Sequence, residues 1–450
     1  MAKPVGSATK METSGTFPPI AQAWMVTAIL WLVTLFSQLD RQLPALLVRP
    51  LKTEFTLSDT QFSLLQGYAF AIFYTLMGLP FGRLVDRTNR RNLILIGVTL
   101  WSAMTILAGF ATNYTELLLA RVGVGIGEAV LAPAAYSIIA DYVAPRQRGR
   151  ALGVYYVSLA IGSGASLFLG GLILGALPAD GLTIGGMTLA PWQLTFIIAG
   201  LPGLPLLFLL LAVREPVRQE VRGAASASIG DFLRYINAHR ATFSRLLTYP
   251  ALIAAIGYGT LAWAPAFFDR AYHFPVQRVG VIVGILVALG GLVGTLTSGF
   301  LSDRWLAQDK PAARFRVTLV AWAIIIPGAI LWPLMPSAPL SLAMLTLAIT
   351  GFAMAQAAAP PSVQDVFPNA MRGQAIALYL LLGGLVGIGL GPMLVALVTD
   401  HMFGDDAMLG TSLVVVTAPL TLIGLWLSIS GQRPYARTLS ALQRSGNGKD

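Results

Sequence analysis

Twelve times along this chain an apolar stretch of about 20 residues or more returns, and no other feature limits the fold so tightly. The stretches run over roughly 22–48, 59–85, 91–112, 115–143, 149–176 and 191–213, then 244–271, 276–302, 315–335, 339–366, 373–399 and 410–430. Wound as a helix at 1.5 Å per residue, each is long enough to cross a hydrocarbon core about 30 Å thick. A backbone in lipid has no water to bond, so these stretches must close their hydrogen bonds internally, as helices. Composition agrees: 56% of the 450 residues are hydrophobic and 11% charged, where a soluble chain carries about 25% charge. The mean hydropathy of +0.71 leaves more apolar surface than soluble domains of this length can bury. The expected class is an all-α membrane protein with twelve transmembrane helices.

The formal net charge of +10 could suggest a nucleic-acid partner, but its distribution argues for orientation. Of the 30 Lys and Arg residues, Arg49, Lys52, Arg270 and Arg278 fall in loops away from the N-terminal side, and Arg41 and Arg121 fall inside spans. All the others sit on the side of the N-terminus, the positive-inside signature of a cytoplasmic face in contact with anionic lipid. Both termini are therefore expected in the cytoplasm, as an even number of spans requires, and no nucleic-acid partner is expected. Lys3, Lys10 and Glu12 lead directly into an apolar run from about Ala21, far longer than a signal-peptide core, so the first helix reads as retained. The absence of cysteine excludes disulfides and thiol catalysis.

The organisation expected is a tail over 1–21, a six-helix bundle over 22–213, a linker over 214–243, a second bundle over 244–431 and a tail over 432–450. In the linker, Ile229, Phe232, Leu233 and Ile236 follow helical spacing, and Ser228 with Asp231 resembles a capping box. A short helix on the inner leaflet and a plain flexible linker both fit that pattern. The two halves repeat. Gly82-Arg83-Leu84-Val85-Asp86-Arg87 after the second span returns as Gly299-Phe300-Leu301-Ser302-Asp303-Arg304 after the eighth. Asp141 with Arg148-Gly149-Arg150-Ala151, before the fifth span, returns before the eleventh as Asp365 with Arg372-Gly373-Gln374-Ala375. Two pairs at nearly one offset imply a parallel six-plus-six duplication.

At these residues the chain resembles the major facilitator superfamily over nearly its whole length. The superfamily's loop motif between helices two and three is matched by Gly82, Asp86, Arg87, Arg90 and Arg91, with Asn89 where glycine is usual. The second copy keeps Asp303 and Arg304, while Lys310, Arg314 and Arg316 are spread out. The fourth span matches through Arg121, Gly125, Gly127, Glu128 and Ala129. The fifth has Gly162, Gly164, Gly170 and Gly171 but lacks the proline of the antiporter motif. Asp40-Arg41 on the first span, together with Arg121 and Glu128, resembles the spinster branch, which implies lysolipids or sphingoid-base phosphates as substrates. The anion:cation symporter branch shares these charges and implies organic acids. The resemblance also implies two six-helix bundles and a cytoplasmic gate in which Asp86 faces the helix beginning near Arg372-Gly373.

Asp40, Arg41, Arg121 and Glu128 lie inside spans. An ionised residue at a helix centre costs about 2.5–3.5 kcal/mol, so four left unpaired would cost roughly 10–14 kcal/mol. They must pair with one another or face a wet cavity. Arg121 and Glu128, seven apart, share one face of the fourth helix, and residue counts put Asp40 and Arg41 at the same depth. Arginine stays charged whereas a desolvated carboxylate can take a proton, so Asp40 and Glu128 are the candidates for proton coupling. Arg41 and Arg121 are the candidates for holding a substrate anion. A permanently satisfied ion-pair network that fixes helix packing is the other reading. The second half has no charge at mid-span, and Tyr258, Trp263, Met354, Gln356 and Tyr379 are candidates for an apolar cavity wall. Asp269 and Arg270 after the seventh span could form an outer latch or be solvated loop charges.

Other classes fit less well. No HExxH, GxSxG or Walker A pattern appears and the three histidines are scattered, so no enzyme, metal or cofactor is expected. A channel would show a ring of charges, but the intramembrane charges sit in one half. The glycines of the fourth span lie in an apolar run with no preceding strand, so they read as close helix packing rather than a phosphate loop. The sequence therefore leads to a monomeric secondary transporter of the bacterial inner membrane. Its expected partners are protons, the bilayer and a small amphipathic or anionic solute; an organic-acid or drug/proton carrier is the alternative.

Overall fold

The structure, a computed structural model, describes residues 17–218, 227–308, 310 and 312–447. The N-terminal residues through 16, the middle of the expected linker (219–226) and residues 448–450 lie outside the described residues, and with them part of each expected tail. The first half contains α1 (Ile20–Leu46), a short α2 (Val48–Phe55), α3 (Asp59–Gly78 and Pro80–Arg87), α4 (Arg90–Ala108), α5 (Tyr114–Tyr142), α6 (Pro145–Ala176) and α7 (Pro191–Leu211). Then come α8 (Ile229–Ala238), α9 (Arg240–Tyr272), α10 (Val276–Leu306), α11 (Ala313–Leu334), α12 (Ala338–Asp365), α13 (Asn369–Phe403) and α14 (Leu409–Asn447). With the bent α3 counted as one span, twelve helices among the described residues are long and apolar enough to cross a membrane. Over the described part of the expected tail, α14 continues to Asn447, with Tyr435 buried and Thr438 hydrogen-bonded to Thr242.

Breaks in the helices follow local chemistry. Pro80 lies at the 41° bend of α3, and Pro133 removes a backbone donor just beyond the irregular turn at Ala129–Val130 in α5. α3 and α13 also contain π-helical segments, at Leu64–Tyr68, Gly383–Leu390 and Val398–Phe403. Between α6 and α7 the chain forms an unanticipated two-stranded hairpin, β1 (Leu182–Ile184) against β2 (Met187–Leu189). Gly185 and Gly186 make its tight turn at φ +59° and +85°, a conformation that glycine adopts without steric cost. α8 forms where helical spacing predicts. Ser228 Oγ accepts the Asp231 amide, Phe232 stacks on Phe367 inside the second half, and Ile229 and Leu233 face outward.

Buried apolar side chains form three clusters. One belongs to the first bundle (α1, α3–α7) around Val26, Trp101 and Ile138, and one to the second (α9–α14) around Tyr249, Trp322 and Phe352. The third joins both bundles at the face opposite the termini, from Leu43, Leu51, Phe62 and Trp192 to Trp263, Phe268, Val283 and Trp332. Glycines show where the bundles touch. A Cβ on Gly67 would meet Ile388 O at 2.6 Å, one on Gly164 would meet Gly284 O at 2.6 Å and one on Gly171 would meet Gln277 O at 2.6 Å. Nearer the terminal face, at Gly82, Gly149, Gly153, Gly299 and Gly373, the same helices have nothing within 4 Å. The halves pack closely at the far face, while these glycines nearer the termini are free of such contact.

Candidate functional site

The four intramembrane charges meet. Glycines on α5 seat it deeply: Cβ positions on Gly125 and Gly127 lie 2.9 Å from Phe70 O of α3 and 2.8 Å from Trp101 N of α4. This packing turns Arg121 and Glu128 toward α1, where Arg41 Nε donates to Glu128 Oε2 at 2.6 Å. Among the described residues no carboxylate lies within salt-bridge distance of Arg121; its Nη1 donates to the backbone carbonyl of Asp40 at 2.9 Å. Asp40, Arg121 and Glu128 are fully buried, whereas the Arg41 side chain keeps 15% of its exposure. Asp40 Oδ1, Glu128 Oε1 and Arg121 Nε and Nη2 have no hydrogen-bond partner among the described residues. The cluster thus holds one engaged pair and several buried polar atoms in reserve, which is costly for a purely structural network.

Aromatic rings surround the exposed side of this pair. The Arg41 guanidinium lies 4.5 Å from the Tyr74 ring centre and 5.0 Å from that of Phe70. Such contacts are worth about 0.5–2 kcal/mol as desolvation increases. Tyr258 lines a small cavity with Arg41, Gln66 and Ala262. Tyr379 is half-buried and donates to Gln356 Oε1 at 3.4 Å. Trp263 and Met354 are not on this wall. Trp263 is fully buried, donates to Pro392 O at 2.9 Å and packs edge-on against Phe62, while Met354 lies within the second bundle's core. Both are large apolar side chains on helix faces turned to neighbouring helices. Sequence reasoning missed Tyr74, Tyr136, Tyr155 and Tyr156, whose rings cluster at 5.3–6.4 Å on the first bundle for the last three. The first wall is charged and aromatic together.

The expected gate motif divides. Asp86, Arg87, Asp303 and Arg304 are exposed, and Gly82 faces open space. No ion pair joins Asp86 to Arg372 among the described residues. Arg90 is different: it is buried and binds Asp141, Glu215 (2.7 Å), Ser137 (2.8 Å) and the carbonyl of Pro216 (3.1 Å). In the second bundle Arg314 binds Asp365, which also accepts from Tyr435.

At the far face, Arg270 joins a larger latch than the sequence suggested. It donates to both Asp59 carboxylate oxygens, at 2.7 and 2.8 Å, and lies 3.2 Å from Asp406. Lys52 bridges Asp59 (2.6 Å) and Asp406 (2.7 Å), and Asp269 pairs more loosely with exposed Arg49 at 3.5 Å. Asp400 accepts the backbone amides of Asp59 and Thr60 at 3.3 and 2.6 Å. Lys52, Asp59, Asp400 and Asp406 carried no sequence signal beyond charge at span ends.

Two repeated helix bundles clasped at one face, with paired charges buried on α1 and α5 of the first, define a membrane carrier. The chain belongs to the Major Facilitator Superfamily, whose family model matches residues 30–392; it is a multi-pass membrane transporter, not an enzyme, of a family that moves small solutes. It is similar to an MFS-type efflux pump of Mycolicibacterium smegmatis, 29% identical over 92% of this chain and 94% of the relative. It is 27% identical to protein spinster of Drosophila melanogaster over 64% of this chain, an alignment that spans about half (47%) of that relative. Its fold follows the crystal structure of a bacterial homolog of the human lysosomal transporter spinster in an inward-facing, unoccupied conformation. That match has a TM-score of 0.80 and 27% identity, covering 94% of this chain and 99% of the other.

Proposed function

We propose that this protein is a proton-coupled secondary transporter that works by alternating access, with the terminal face in the cytoplasm and an amphipathic anion as its substrate. The buried Arg41–Glu128 pair, with Arg41 lining a small cavity shared with Tyr258 of the second bundle, carries this reading. While Glu128 is ionised it occupies Arg41. A proton on Glu128 removes that charge and releases the guanidinium for a carboxylate or phosphate, which it can bind through two parallel N–H bonds. The substrate's apolar portion then lies against Phe70, Tyr74, Tyr258 and Tyr379. Asp40, buried behind the pair without an ionic partner within 4 Å among the described residues, is the second proton carrier, and Arg121 keeps the cluster's charge balanced. A lysophospholipid or sphingoid phosphate has this form, an anionic head with an apolar chain. The similarity to spinster proteins supports that substrate class.

A second reading, proton-driven efflux of apolar aromatic compounds, is favoured by the ring cluster of Tyr136, Tyr155 and Tyr156 and by the similarity to the mycobacterial efflux pump. Liposomes with a fluorescent lysophosphatidic acid, with and without a proton gradient, separate the two. On the first reading the gradient accelerates transport severalfold, and Glu128→Gln abolishes that acceleration while the protein stays folded. Gradient-driven transport retained by Glu128→Gln would sink the coupling role; movement of an uncharged aromatic dye but not of the lysolipid would favour the second reading.

A further inference from the structure

The two bundles meet at the far face along two seams, α3 against α13 and α6 against α10, which the internal repeat makes equivalent. They are built differently. In the α6–α10 seam two continuous α-helices, Pro145–Ala176 and Val276–Leu306, approach backbone to backbone. Cβ positions on Gly164, Gly171, Gly280 and Gly284 all meet the other helix's backbone at 2.5–2.8 Å. Nothing polar need break there, and close glycine packing tolerates tilt about the line of contact. In the α3–α13 seam both helices contain π-helical segments, which mark places where a helix deforms. Gly67 approaches the Ile388 carbonyl closely in this seam too, but its outer end is closed by charge: Asp400 at the end of α13 accepts two amides at the start of α3, where the helix dipole favours an anion. Carried across by the spacings of the two repeated loop motifs, the counterparts in the other seam are Ala176 for Asp400 and Val276 for Asp59. Ala176 has no carboxylate to accept backbone amides, and Val276 has none to hold the cations that gather on Asp59.

We propose that the far face, the outer one in the reading above, opens by parting of the α3–α13 seam, with Asp400 as its catch and the α6–α10 seam as the fulcrum that stays packed. The proposal rests on alternating access and on that orientation, but not on a substrate. Because the chain has no cysteine, it can be tested directly. Ala262→Cys places a thiol in the small cavity beside Arg41, beneath the latch. Its reaction with a membrane-impermeant maleimide added outside intact cells reports outer opening. Asp400→Asn, and Asp400→Ala as a second variant, should each raise that rate severalfold. Disulfide tethers then distinguish the seams. Cβ positions lie 3.4 Å apart for Ala71 and Gly389 and 3.7 Å apart for Gly175 and Gln277, close to the span a disulfide bridges. Oxidising Ala71→Cys/Gly389→Cys should stop the labelling, whereas oxidising Gly175→Cys/Gln277→Cys should leave it within about twofold, an expectation set by the close packing of that seam. Equal blockade by both tethers, blockade by the second alone, blockade by neither, or no acceleration by either Asp400 variant overturns the proposal. A wrong substrate class would leave these results unchanged.

Discussion

Arg90 shows how far a residue's role depends on what packs against it. In sequence it belongs to a basic loop cluster beside Asp86, where a solvated gate charge is the natural expectation. In the structure it begins α4 and is only 1% exposed, fastening α4 to α5 through Asp141 and to the residues after α7 through Glu215. The second bundle repeats the pair as Arg314 and Asp365, both displaced along the chain by one and the same offset. The offset between Asp141 and Asp365 was legible from the start, and extending it to Arg90 and Arg314 would have exposed the pairing. Removing one partner of a buried pair costs about 3–5 kcal/mol. Arg90→Leu should therefore lower the thermal unfolding midpoint in detergent by several degrees, while Arg87→Leu, at an exposed position, should leave it nearly unchanged. Similar melting of the two variants would contradict the structural role given to Arg90.

At the scale of elements, glycine positions mark both contact and opening. Gly284 on α10 and Gly153 on α6 look alike in sequence, each a glycine in an apolar run. A Cβ on Gly284 would lie 2.5 Å from the Phe168 backbone amide, whereas one on Gly153 meets nothing. Overpacking a tight contact costs about 1–3 kcal/mol, while replacing an unconfined helical glycine with alanine gains up to about 1 kcal/mol. Gly284→Val should thus lower thermal stability and Gly153→Ala should hold or raise it; the opposite order would refute the packing assigned to the α6–α10 seam. The short hairpin was a different kind of omission. Its Leu-Thr-Ile-Gly-Gly-Met-Thr-Leu pattern is a hairpin signal, passed over because the hydropathy reading attends to long apolar runs.

At the scale of the whole molecule, an even number of spans argues that both ends of the described chain share a face, and charge asymmetry argues which face it is. Thr183 in the hairpin and Ser440 in α14 are exposed on opposite sides. In intact cells, Thr183→Cys should react with an impermeant maleimide, and Ser440→Cys should react only after permeabilisation. Reversed labelling would overturn the proposed orientation, and with it the assignment of the Asp400 latch to the outer face.

The sequence by itself determined the twelve helices, the duplication and the four charges that had to meet, because each follows from a local property. Apolar length, a recurring motif and the cost of ions in lipid can all be read without knowing any neighbour. Only the tertiary structure decided who pairs with whom: Arg41 with Glu128, Arg121 with a backbone carbonyl, Arg90 with Asp141. It alone assembled the far latch from Lys52, Asp59, Arg270, Asp400 and Asp406. Those residues stand at span ends far apart in the chain, and charges so placed acquire a partner only when packing brings the helix ends together. The same reason covers the closed far face: helix contact depends on the shape of both surfaces, and sequence shows one surface at a time.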